Sequence, residues 1–156
     1  MTAGLTPRSA TALDVEALVG LLAVLFEIEA DFQPDPGRQR DGLALLLAAP
    51  ARSTVLVAER AGVVVGMVTA QLVVSTAEGG LSGWVEDLVV LTSERRRGIG
   101  RALLEAVRAW AVERGARRLQ LLADRENAPA LAFYTGLGWR GTQLICLRRS
   151  GAGGQG

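Results

Sequence analysis

Apolar residues recur at helical spacing early in the chain. Leu18, Leu21, Leu22, Leu25 and Ile28 stack on one face at 3.6 residues per turn and predict a first helix of about four turns. Thr11-Ala12-Leu13-Asp14 ahead of it reads as a capping box, and a short strand is expected before that, near Leu5 to Ser9. The segment Phe32 to Gly37, with prolines at 34 and 36, breaks the pattern. A second helix is predicted over Gln39 to Leu47, stopping before Pro50.

The period then changes. Thr54 to Glu59, a turn at Ala61-Gly62, and Val63 to Ser75 form a valine-rich pattern that predicts an antiparallel hairpin. Gly66 inside its second strand marks a possible bulge position. Glu78-Gly79-Gly80 turns the chain into a further strand, Ser82 to Val90. Helical spacing returns from Ile99 to Arg114, with Leu103, Leu104, Val107, Trp110 and Ala111 on one face, and Gly115 placed as a C-terminal cap. Arg118 to Ala123 is the next predicted strand. A helix separates it from its predecessor, so the two should be parallel neighbours joined by a right-handed crossover. Asn127-Ala128-Pro129 opens a last helix to about Thr135, and Gln143 to Arg148 is expected as a closing strand. The expected fold class is α/β, with one domain over residues 1–150, a central mixed sheet flanked by helices, and a flexible tail over 151–156.

Composition narrows the chemistry. The chain has 156 residues, 49% of them apolar, which suits one domain with a substantial core. Seventeen basic residues face sixteen acidic ones, so any basic patch is local and no nucleic-acid partner is expected. No apolar run approaches membrane-span length, and the first residues lack the basic-then-apolar order of a secretory signal. The single cysteine, Cys146, suits a reducing cytoplasm. Histidine is absent, which removes imidazole catalysis, and no metal is expected. Carboxylates, hydroxyls, backbone amides and Tyr134, the only tyrosine, remain.

The stretch Glu94-Arg95-Arg96-Arg97-Gly98-Ile99-Gly100 runs directly into a predicted helix. It is not a P-loop, because Arg101-Ala102 follows Gly100 where lysine and a hydroxyl residue are needed. A dinucleotide fingerprint needs a third glycine at position 103, which is leucine. Glycines allow a tight turn whose amides point to one side, and the helix N-terminus adds its positive dipole end. That combination favours an anion such as a pyrophosphate. The alternative is an ordinary strand-to-helix turn with solvated arginines.

Arg95-Arg96-Arg97-Gly98-Ile99-Gly100 resembles the R/Q-x-x-G-x-G/A signature of the GNAT acetyltransferase superfamily. Val85 to Val90 resembles that family's fourth strand. Asn127 to Tyr134, with its asparagine and tyrosine seven residues apart, followed by Leu137-Gly138-Trp139, resembles its second motif. The resemblance covers nearly the whole domain. It implies an N-acetyltransferase that moves acetyl from acetyl-CoA to a primary amine by direct attack in a ternary complex. It also implies that Arg95, Arg96, Arg97, Gly98, Ile99, Gly100 and Arg101 cradle the pyrophosphate. Backbone groups of Leu88, Val89 and Val90 would meet the pantetheine arm, an amide near Leu88 or Val89 would polarise the thioester, and Asn127 would help hold the cofactor.

Tyr134 is the implied general acid for the departing thiolate, with a packed core aromatic as the alternative. Glu86 is the candidate base, directly or through water. Strand alternation puts it on one face with Trp84, Leu88 and Val90, and puts Asp87 on the other; a purely structural carboxylate is the other reading. Members that acetylate ribosomal-protein N-termini carry a glutamate where this chain has Leu122, which argues against an identical mechanism. Glu29, Asp31 and Phe32 lie in an acidic, aromatic stretch that either forms part of the acceptor wall or is a solvated helix end. The acceptor that the resemblance implies is a small-molecule or peptide amine, and a homodimer is expected from pairing of sheet edges. A non-catalytic acyl-CoA sensor on the same fold is the rival reading.

Overall fold

A computed structural model describes residues 5–29 and 31–151. The chain separates into two compact units, one up to Leu121 and one from Leu122 onward.

The first unit is built on a five-stranded sheet ordered β1-β2-β3-β4-β5. Its strands are β1 (Arg8–Ser9), β2 (Ser53–Arg60), β3 (Val63–Ser75), β4 (Gly80–Val90) and β5 (Ala116–Leu121). β1 to β4 are antiparallel neighbours, and β5 joins β4 in parallel. The helices are α1 (Val15–Ile28), α2 (Pro36–Leu47) and α3 (Ile99–Glu113). The mixed sheet and the parallel crossover pair agree with the sequence pattern. β1 is shorter than expected, and β5 starts and ends two residues earlier.

Local chemistry accounts for the boundaries. Thr11 Oγ1 accepts from the Leu13 amide at 3.3 Å and the Thr11 amide donates to Asp14 Oδ2 at 2.8 Å, completing the capping box on a 3-10 turn before α1. Asp14 also receives both terminal nitrogens of Arg8, at 2.8 and 3.0 Å. α2 begins three residues before its predicted start. Asp35 Oδ1 accepts from the Arg38 amide at 3.1 Å, and Pro36 occupies the first turn, where no amide is required. The β2–β3 hairpin turns through Ala61 and Gly62, at φ 50° and 78°, the left-handed pair that a two-residue hairpin loop requires.

The sheet is covered on both faces. Leu18, Leu21, Leu22 and Leu25 of α1 and Leu43 of α2 pack with Val55, Val57, Met67 and Val89. On the other face Leu103, Leu104 and Val107 of α3 are buried, each contributing about 1.5–3 kcal/mol through burial. Gly66 allows that close approach: a Cβ there would lie 3.1 Å from Leu103 Cδ1 and 3.2 Å from Ile99 Cγ2. The bulge expected at Gly66 is present, since the β2–β3 register shifts between Ala58 and Glu59, opposite Gly66 and Val64.

The second unit contains α4 (Ala128–Gly136), capped by Asn127, whose Oδ1 accepts from the Ala130 amide at 3.2 Å. The expected closing strand is corrected: among the described residues, 143–148 form no strand. A short apolar run such as Leu144 to Leu147 makes a segment suitable for a sheet, but a ladder needs a partner edge, which local pattern does not supply. Residues 152–156 of the expected tail lie outside the described residues.

Candidate active site

The turn between β4 and α3 bends left-handed at Arg96, φ 62°, and at Gly98, φ 80°. The helix ladder begins with the Ala102 amide donating to Gly98 O at 3.0 Å. The amides of Ile99, Gly100 and Arg101 therefore have no partner within the helix, and the positive dipole end lies beside them. This backbone suits a diphosphate. The arginines divide into two sets. Arg95 Nε donates to Val90 O at 3.0 Å, tying the turn to the end of β4. Arg97 lies 3.6 Å from Glu94, which also takes Arg60 at 3.1 Å. Arg96 and Arg101 are exposed and make no salt bridge among the described residues, so they are the more available phosphate partners.

β4 is paired unequally. Against β3 its register continues to Val90, whereas against β5 it ends at Val85, opposite Leu121. The Leu91 amide donates to Val65 O on the β3 side at 2.8 Å. Alternation then directs the backbone groups of Val90, and of Leu88 two residues back, to the edge that β5 has left. Val89 pairs with Met67 and turns its backbone groups to β3. Of the three residues expected to meet a pantetheine arm, Leu88 and Val90 are the better placed.

Strand alternation fails at Asp87. The β3–β4 register passes from Glu86 opposite Thr69 to Val89 opposite Met67, so two residues, Asp87 and Leu88, oppose Val68 alone. Asp87 has φ 54°. This is a bulge with a left-handed first residue, the position that glycine ordinarily takes. Its consequence is visible downstream. Val90 pairs with Gly66, whose missing Cβ points at α3, while Val89 packs with α1 and α2. Glu86 does share a face with Trp84, whose Nε1 donates to Glu86 Oε1 at 2.6 Å. It does not share one with Val90, and Asp87 does not sit on the opposite side.

A cavity of about 590 Å³ opens between α1, α2 and the sheet, and both Glu86 and Asp87 line it, with Thr69, Gln71, Phe26 and Arg52. Glu86 is exposed, whereas Asp87 is partly buried and accepts from Thr69 Oγ1 at 3.3 Å. Burial first, and then the Glu86 charge, push the Asp87 carboxyl up to about 6, against the Thr69 bond that lowers it. A second cavity of about 430 Å³ is lined by Asp31, Phe32, Asp35 and Arg38, and shares Phe26 and Gln39 with the first. The Phe26 and Phe32 rings lie 5.5 Å apart. Asp31 and Phe32 thus line a cavity, while Glu29 caps the C-terminus of α1 and lines neither.

In the second unit Tyr134 is half-buried. Its ring lies 5.4 Å from Phe133 and 6.1 Å edge-on from Trp139. The Trp139 amide donates to Tyr134 O at 3.0 Å, and Gly138 turns the corner at φ 89°.

An amide-lined helix start, a strand edge that its neighbour leaves after Val85 and a cavity with two carboxylates lie along the same strand of the first unit. The model of the acetyltransferase (GNAT) family matches residues 22–139. The chain belongs to that family and is an acetyl-CoA-dependent N-acetyltransferase. The aminoalkylphosphonate N-acetyltransferase of Salmonella typhimurium is 30% identical over 133 residues, covering 85% of this chain and 83% of the relative. The aminoglycoside N(6')-acetyltransferase type 1 of the same organism is 27% identical over 119 residues, 74% of this chain and 81% of the relative. Among solved structures, aminoglycoside N-acetyltransferase AAC(6')-Iy in complex with a CoA–acetylneamine bisubstrate analogue superposes with a TM-score of 0.79 at 24% identity. That match covers 96% of this chain and all of the other.

Proposed function

We propose that the protein acetylates a small primary amine by direct attack on acetyl-CoA within a ternary complex, the acceptor entering the cavity lined by Glu86 and Asp87. The observation that carries this reading is the cavity itself: two carboxylates on the strand whose edge is free beyond Val85. Glu86, held by the Trp84 indole, attracts the ammonium group and orients it. The amides of Ile99, Gly100 and Arg101, with Arg96 and Arg101, hold the pyrophosphate. Leu88 and Val90 supply the backbone contacts, one of which donates to the oxyanion. Tyr134 protonates the departing thiolate, and Asn127 caps its helix while contributing to the cofactor site; these two roles rest on the family motif.

The acceptor's remaining groups are read by the walls. Asp31 suits a second cation, Asp35 being engaged by Arg38 at 3.5 Å, whereas Arg52, which makes no salt bridge among the described residues, suits an anionic group. The two Salmonella relatives are named for these two kinds of amine. Acetyl-CoA consumption with an aminoglycoside, 2-aminoethylphosphonate, a polyamine and an amino-terminal peptide tests the reading. Turnover of at least one amine is expected; acetyl-CoA binding without turnover of any would favour a sensor. A cytoplasmic site of action is part of the proposal, and no helix among the described residues is long and apolar enough to cross a membrane. So is a homodimer, which sedimentation equilibrium would reveal.

A further inference from the structure

Asp87 is a non-glycine residue in a left-handed conformation, placed at the bulge position that glycine fills at least cost. Strain of this kind persists only where the surrounding structure holds it, and it gathers at functional sites. The bulge also has a geometric effect: it brings a second carboxylate to the cavity side of β4, directly after Glu86. From these observations we infer that Asp87 is the general base of the reaction, taking the proton from the acceptor's ammonium group, directly or through one water.

The inference rests on the transferase reading above and assigns within it a role that Glu86 had held. Glu86 is exposed and has one oxygen engaged by Trp84 at 2.6 Å. Asp87 is the more enclosed of the two, and the hydrogen bond it accepts from Thr69, at 3.3 Å, is long. The charged groups facing the same cavity are Glu86 from β4 and Arg52 from the turn before β2. Thr69 and Gln71 of β3, Leu22 and Phe26 of α1 and Gln39 of α2 contribute none. A carboxyl shifted to about 6 is ionised at neutral pH yet more basic than an exposed aspartate, which suits proton abstraction.

The proton balance closes. R–NH3+ transfers one proton to Asp87 and becomes R–NH2. Its lone pair forms the C–N bond at the thioester carbonyl, giving a tetrahedral adduct with a cationic nitrogen and an oxyanion. The C–S bond breaks as the carbonyl re-forms, and the second proton lost by the nitrogen balances the one gained by the thiolate, whose donor under the reading above is Tyr134. The products are R–NH–CO–CH3 and CoA–SH, and Asp87 releases its proton to water.

The test is the pH dependence of turnover in the full-length enzyme and two variants. Asp87→Asn keeps the size of the side chain, and Asp87→Gly suits the left-handed backbone, so the second holds the fold if the first does not. For the wild type, kcat/KM with the best amine should rise through about pH 6. Both variants should lose about 100-fold or more in kcat, retain acetyl-CoA affinity within about threefold, and show no acidic limb near pH 6. Activity within about threefold of wild type, or an acidic limb that survives in both, would overturn the assignment. If the wild type acetylates no amine, the transferase reading fails. The 13C carboxyl signal of Asp87, assigned by its loss in Asp87→Asn, then decides the residue's role. Titration near pH 6 that responds to added amine supports it as the amine's proton acceptor, and a carboxyl blind to amine overturns that too.

Discussion

At Gly98 backbone conformation and charge, rather than space, limit what the turn tolerates. The residue stands at φ 80° immediately before α3, and a Cβ there would meet nothing within 4 Å. Space is therefore not the constraint; conformation and charge are. Gly98→Asp should abolish acetyl-CoA binding measured by calorimetry while leaving the thermal midpoint close to wild type, because aspartate tolerates the left-handed region but brings a negative charge to the helix start. Undiminished binding would place the cofactor elsewhere. Tyr134→Phe should lower kcat by about 10–100-fold with the acetyl-CoA Kd unchanged, since only the proton donor is removed. Equal kcat in the two proteins would end its role as the acid. Motif spacing marks Gly98 and Tyr134 as candidates in the sequence. It does not mark Asp87, because a strand with period two assigns that residue to the wrong face, and nothing local announces the inserted residue.

Elements show the same division. Helices α1 and α3 follow from apolar spacing, and the capping box and Gly115 mark ends that the structure keeps. α2 starts earlier than its apolar pattern because Asp35 caps it and Pro36 enters the first turn; that stretch had read as a breaker. Gly66 was visible as an interruption of β3, but its second role is closeness to α3. Gly66→Val should destabilise the protein by about 1–3 kcal/mol in urea denaturation, because a side chain there meets Leu103, Ile99 and the Val89 carbonyl at 3.1–3.2 Å. No change in the midpoint would mean that α3 can move away freely. The segment 143–148 has the composition of a strand and forms none among the described residues, since pairing depends on a partner edge.

Across the whole molecule, two carboxylates set opposing dependences of stability on pH. Asp14 is pushed down to about 2, chiefly by its bonds from Arg8. Its contribution is complete above the ordinary aspartate value and is lost as pH falls through about 2. Asp87 is raised, so the folded state binds its proton more tightly than the unfolded chain does. Stability therefore declines as pH rises from about 4 to about 6, and the full cost is present above that. A shift of about 2 units corresponds to about 3 kcal/mol. Asp87→Asn should accordingly be more stable than wild type at pH 8 by up to that amount, with the difference vanishing near pH 4. Thermal melts of both proteins across that range check it; a gap independent of pH would show that Asp87 carries no such burden. The same variant should thus gain stability while losing turnover.

The sequence by itself determined the order of elements up to α4, the glycine turn before α3, the family and therefore the dependence on acetyl-CoA, because these rest on local periodicity, glycine placement and motif spacing. Tertiary structure decided which arginines are engaged by neighbours, where β4 parts from β5, and that a bulge turns Asp87 into the cavity beside Glu86. Those depend on register between strands distant in sequence, and a register shift of one residue moves a side chain across the sheet without changing any local pattern.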